Sequence, residues 1–143
     1  MAVMDSALGT TDDVVRRTLK LVFGLVPIVA GLDKFIDLLV QWEKYLAPSI
    51  AHLLPMTPRT FMHLVGIIEI VAGVGVLLTP WTRLFAWIVG LWLLGIALDL
   101  IIAGYYDIAV RDIVMAISAF CLAHLSTSGA AGQARPVHGT SAP

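Results

Sequence analysis

"HLVGIIEIVAGVGVLL", residues 63–78, decides the fold. Apart from His63 and Glu69 it holds only aliphatic residues and glycine. A helix in a water-soluble domain needs a polar face for solvent, and this stretch has none. It is long enough, with its flanks, to cross the apolar part of a bilayer, which takes about 20 residues. Glu69 is then the anomaly that any account of the chain must explain.

Working outward, three further segments read the same way. "VVRRTLKLVFGLVPIVAG" continues through "FIDLLV" and predicts a first helix over 14–40, with Pro27 as a kink. Its basic start also resembles a signal peptide with small residues near Val29 and Gly31, but the apolar run continues beyond that point, which favours a retained helix. The quoted stretch gives a second helix over 61–79. "TPWTR" and "GYYD" are turns that set off helices over 84–103 and 108–125. Residues 1–13 form a polar tail or a surface helix. Residues 126–143, rich in Gly, Ser, Ala and Pro, are expected to be disordered. The connection "QWEKYLAPSIAHLLPMTPRT" is broken by Pro48, Pro55 and Pro58 and has room for one short amphipathic piece over 46–54. Trp42 and Trp81 are placed at the water–lipid interface.

The composition agrees. Of 143 residues, 59% are hydrophobic and 13% charged, with a mean hydropathy of +0.91; soluble domains carry roughly 25% charged residues. The expected fold is an all-α antiparallel bundle of four transmembrane helices. A net charge of −1 gives no basis for nucleic-acid binding. Cys121 is the sole cysteine, so an internal dithiol is excluded, and it reads as a small packing residue. His52, His63, His124 and His138 lack ligand spacing, and His63 and His124 fall at opposite faces, so no metal or haem site is expected. No phosphate loop or hydrolase triad is present.

Basic residues orient the bundle. With both termini cytoplasmic, that side holds Arg16, Arg17, Lys20, Arg83 and Arg135, against Lys34, Lys44, Arg59 and Arg111 outside. Because Lys34 and Arg111 are expected to sit in ion pairs, the cytoplasmic side carries the larger free charge. This topology gathers Asp33, Lys34, Glu69, Asp99, Asp107, Arg111 and Asp112 in the outer half of the bundle. Two cations there face five carboxylates. Ionised groups in a membrane are costly unless paired or wet, so Glu69, the deepest, is expected to be protonated or to share a proton. Arg111 can pair with Asp107 at i, i+4, or reach Asp99 or Glu69. Gly66, Ala72 and Gly73 flank Glu69 on one helical face, which turns it into the bundle, and that face is expected to meet the Gly95 face of the next helix.

Three stretches carry a likeness: Gly31-Leu32-Asp33-Lys34-Phe35, Glu69-x-x-Ala72-Gly73 and Asp107-x-x-x-Arg111-Asp112. Over about residues 15–125 the chain resembles the DoxX-like family of small four-helix bacterial membrane proteins. The resemblance implies a multi-pass protein of the bacterial inner membrane, with redox or membrane-complex partners. Two functions follow as expectations. In the first, the chain is a non-catalytic accessory subunit of a larger redox or energy-transducing complex, with Trp87 and Trp92 meeting its partners. In the second, it is a subunit of a quinone-linked oxidoreductase: Arg111 binds the ligand, Glu69 or Asp99 moves protons, and a quinone is the cofactor. A small transporter is the weakest reading, and lipid is a partner in all three.

Overall fold

A computed structural model of the chain describes the backbone of residues 2–132 and the side chains of residues 9–126. Five helices account for most of them: α1 (Ala2–Ile36), α2 (Pro48–Ala51), α3 (Pro58–Leu78), α4 (Thr82–Ala103) and α5 (Tyr106–Gly132), with a 3₁₀ turn at Trp42–Tyr45. No strand occurs among the described residues. Pro58–Leu78, Thr82–Ala103 and Tyr106–Ser126 are long and apolar enough to cross a membrane. α1 completes the bundle, but its apolar stretch carries Lys20, Asp33 and Lys34, which sets it apart from the other three.

The helix ends follow from local chemistry. Pro58 opens α3 behind Thr57, whose hydroxyl accepts from the Thr60 amide at 3.2 Å. Gly104, at φ 88°, closes α4 in the left-handed conformation that a Cβ disfavours. α1 stops at Ile36 rather than near residue 40. Asp37 turns the chain with φ 50°, and Asp33 Oδ1 accepts from the Leu38 and Leu39 amides at 3.0 and 2.9 Å. A side-chain carboxylate thus replaces the next turn of helix, although the apolar pattern runs on. At the other end α1 begins at Ala2, so the polar residues read as a tail or a surface helix continue the helix, with an Arg16–Asp13 pair at 3.0 Å. At 35 residues α1 is about 52 Å long, well beyond the ~30 Å apolar thickness of a bilayer. Residues 126–132, expected to be disordered, extend α5, and residues 133–143 lie outside the described part of the chain. Ser126 remains in the helix by donating to Leu122 O at 2.8 Å.

The bundle is two pairs of helices. α1 lies antiparallel on α3, and α4 on α5, with much sparser packing between the pairs. Call the end holding Pro58 and Ala103 the upper end and that holding Leu78 and Thr82 the lower. At the lower end all four long helices meet in one core of Phe23, Ala72, Val76, Ala86, Val89, Ala119, Leu122 and Ala123. Towards the upper end the pairs part. A second small core, Ala97, Leu100 and Ala109, belongs to α4 and α5, and Tyr45 and Tyr105 pack on it.

Within the first pair the backbones touch. A Cβ on Gly31 would stand 2.5 Å from Gly66 O, and one on Gly66 would stand 2.6 Å from Gly31 O; Gly73 likewise faces Gly24 O. The small-residue face of α3 therefore meets α1, not the Gly95 face of α4 as the sequence suggests. Gly24 and Gly31 have the same seven-residue spacing as Gly66 and Gly73, so the two helices match in antiparallel register. Gly95 faces open space instead.

Candidate functional site

Between the parted pairs lies a cavity of about 690 Å³ with walls that are almost entirely apolar. Its polar groups sit towards the upper end: Lys34 from α1, Glu69 from α3, Trp92 and Asp99 from α4, and Asp112 from α5. On the side between α1 and α4 it is bordered by Val22, Val26, Ile88 and Leu91, all substantially exposed. The upper end is covered by the α1–α3 connection, which contributes Tyr45, Leu46 and Ile50.

Lys34 and Glu69 form the centre. Lys34 Nζ donates to Glu69 Oε2 at 2.6 Å, and the two residues are only 5% and 7% exposed. The ammonium also lies 3.7 Å from the centre of the Trp42 ring. Glu69 therefore has a cation as its partner. Asp112, itself buried, stands near enough to interact electrostatically with both partners.

The other expected site residues divide. Asp33 is buried but works outside the cavity: beyond capping α1, its Oδ2 accepts from Trp42 Nε1 at 2.7 Å. Trp42 is thus a strut between Asp33 and Lys34. Asp99 lines the cavity and holds the covering segment, its Oδ1 accepting from the Ala47 amide at 3.1 Å. Arg111 does not reach Glu69, Asp99 or Asp107. Its side chain is 65% exposed and touches only its neighbour Asp112, at 3.3 Å. Asp107 is exposed in the first turn of α5, away from the cavity. The buried stripe of α5 is Ala109, Asp112, Ala116, Ala119 and Ala123, so position 111 falls on the outer side. Cys121 is also exposed, not packed.

Trp92 is the residue whose place the sequence reading misassigned, giving it to a partner contact. It faces the cavity, not a partner surface. Its indole N–H is buried beside the Glu69 carboxylate, yet no acceptor meets it in hydrogen-bonding geometry. The signal was its seven-residue spacing from Asp99, which puts both on one face. Trp87 packs its ring on Phe120, with centroids 4.8 Å apart. His63 stacks on Phe35 at 4.9 Å, and its buried Nε2 has no partner. Among the described residues, no group of His, Cys, Asp or Glu could hold a metal ion.

The DoxX family model matches residues 17–103, well over half of the chain. The chain belongs to the DoxX family. The DoxX match takes in Lys34, Glu69, Trp92 and Asp99, and ends before Asp107, Arg111 and Asp112. Neither the curated proteins nor the solved structures gave a match.

Proposed function

We propose that this DoxX-family chain is a membrane subunit of a larger redox assembly and that it seats a quinone-type ligand in the cavity between its helix pairs. The observation that carries this reading is the cavity itself. At about 690 Å³ it lies within the range of small-molecule sites, and it combines apolar walls with a few convergent polar groups. A lipid-soluble ring with a hydrocarbon tail suits that combination, and the exposed aliphatic residues between α1 and α4 give it a route from the bilayer. Lys34, Glu69, Trp92, Asp99 and Asp112 would bind and orient the head group. Arg111, on the outer surface, takes no part. The chain has a single cysteine and no internal dithiol, so electrons come from another protein. The chain is a ligand seat, and a partner supplies the redox chemistry.

In the same reading α1 is a fourth crossing, both termini are cytoplasmic, and the membrane is the bacterial inner membrane. Arg16, Arg17 and Lys20 at one end of the α1 span, and Arg83 at the same end of α4, support that orientation. In a Cys121→Ser background, Asp12→Cys should be labelled by an impermeant thiol reagent only from inside, and Arg59→Cys only from outside. Labelling of both from one side would remove the fourth crossing.

The function is tested by gentle solubilisation followed by native mass spectrometry and quinone extraction. A large co-purifying assembly with a quinone-mass adduct on this chain is expected. A solitary chain carrying quinone would remove the assembly, and a chain carrying only phospholipid would remove the ligand.

A further inference from the structure

Gly24, Gly31, Gly66, Gly73, Gly75 and Gly90 are each held by a neighbouring helix, which a Cβ would meet at under 3.0 Å. Gly95 is different. It lies inside α4, lines the cavity, and a Cβ there would meet nothing within 4 Å. A glycine inside a helix destabilises it, and no described neighbour requires one at this position. The same face of α4 carries Leu91 and Asp99, about one turn to either side of Gly95. Across the gap, α1 carries Val26, Ala30 and Lys34 at the same spacing, and all six residues line the cavity. Both helices run from the lower to the upper end. Each wall therefore reads aliphatic, small, then charged, over about 12 Å. The heights agree as well. Gly31 lies against Gly66, and Phe85 against Gly75; nine residues further up both α3 and α4, Leu94 comes level with Gly66 and so with Gly31.

The three levels suit different parts of a lipid-soluble ligand. A hydrocarbon tail gains little by leaving lipid for Val26 and Leu91, because both surroundings are equally apolar. The tail therefore stays at the lower level, where these two side chains are exposed. A ring that bears oxygens belongs nearer the charged level, since polar atoms are costly in purely apolar surroundings. To lie flat between two helices, that ring also needs walls without projecting side chains. Ala30 and Gly95 provide them just below Lys34 and Asp99. We infer that the ligand's ring lodges between Ala30 and Gly95, against the α4 backbone, and that the residue at 95 governs whether the ring fits. The inference rests on the reading of the cavity as a quinone-type site and names the part of it that receives the head group.

The test measures equilibrium binding of a short-tailed benzoquinone to the full chain in nanodiscs, with the fold of each variant checked by circular dichroism. Gly95→Leu and Ala30→Leu each place a branched side chain where the ring lies, and each should weaken binding about tenfold or more. Gly95→Ala adds one methyl group and should weaken it about threefold. Leu94→Ala changes the same helix at a residue that does not line the cavity, and should stay within about twofold of the unaltered chain. A folded Gly95→Leu or Ala30→Leu protein that binds like the unaltered chain would overturn the inference while leaving a quinone site elsewhere in the cavity. A loss at Leu94→Ala as large as that at Gly95→Leu would overturn it too, because the effect would then lie in the helix and not in the ring's place. Where the leucine variants fail to fold, Gly95→Ala decides, and unchanged affinity in it counts against the inference. No binding by the unaltered chain would overturn the quinone reading itself, and this inference with it.

Discussion

The two helix pairs solve the same packing problem by different means. In α1 and α3, backbone lies against backbone: Gly31 on Gly66 and Gly24 on Gly73, with the Lys34–Glu69 ion pair joining the helices at the cavity. In α4 and α5, side chains interdigitate: the Phe120 ring fills the space above Gly90, and buried alanines line the inner stripe of α5. A backbone contact cannot yield, whereas a ring can turn. The first pair is therefore the rigid wall that fixes the charged centre, and the second is the adaptable wall that carries Trp92 and Asp99.

The comparison breaks most severely at the ion pair. Lys34→Met or Glu69→Leu alone leaves one buried charge without its partner and should cost about 3–5 kcal/mol, measured by reversible denaturation in mixed micelles. The double variant should recover most of that loss. If the double is no better than the worse single, the two residues act independently and the pair is not what joins α1 to α3. Next comes Gly66→Leu, which drives a side chain into the carbonyl of Gly31 and should cost about 3 kcal/mol, the upper part of the range for overpacking. Gly90→Leu displaces a ring rather than backbone, so about 1 kcal/mol is expected in the same assay. Equal costs at Gly66 and Gly90 would erase the distinction between the pairs. Smallest of all, Gly95→Leu and Arg111→Ala should each leave stability within about 0.5 kcal/mol of the unaltered protein. Gly95 has space before it, and the exposed Arg111 has only the ion pair with its neighbour Asp112.

Much of this was legible in the sequence because membrane helices state their needs strongly. A lone Glu69 in an aliphatic run, flanked by Gly66, Ala72 and Gly73, had to face protein, and Lys34 was one of two cations expected in the same half of the bundle. What the pattern left undetermined was the helix that Gly66 and Gly73 would meet. Small-residue faces are interchangeable in one dimension, and only the matched spacing of Gly24 and Gly31 selects α1. Arg111 misled for a related reason: one residue along a helix is 100° around it, and the stripe of small residues assigns the inward place to Asp112. Trp92 read as a partner contact because nothing in a string of letters marks an indole as lining a cavity. The early end of α1 was equally hidden, since Leu38, Leu39 and Val40 extend the apolar pattern while Asp33 takes their amides.

The segment between α1 and α3 also bears on how the cavity exchanges its contents. It is fastened by Trp42 to Asp33, by the Ala47 amide to Asp99, and by Tyr105, whose hydroxyl donates to Lys44 O at 3.3 Å. On the proposed reading of the cavity as a quinone-type seat, the stoppered upper end leaves the side between α1 and α4 as the way in, through lipid rather than from the aqueous phase. Occupancy then follows the mole fraction of the ligand among the lipids, and a water-soluble analogue of the same head group, however concentrated, competes poorly for the seat.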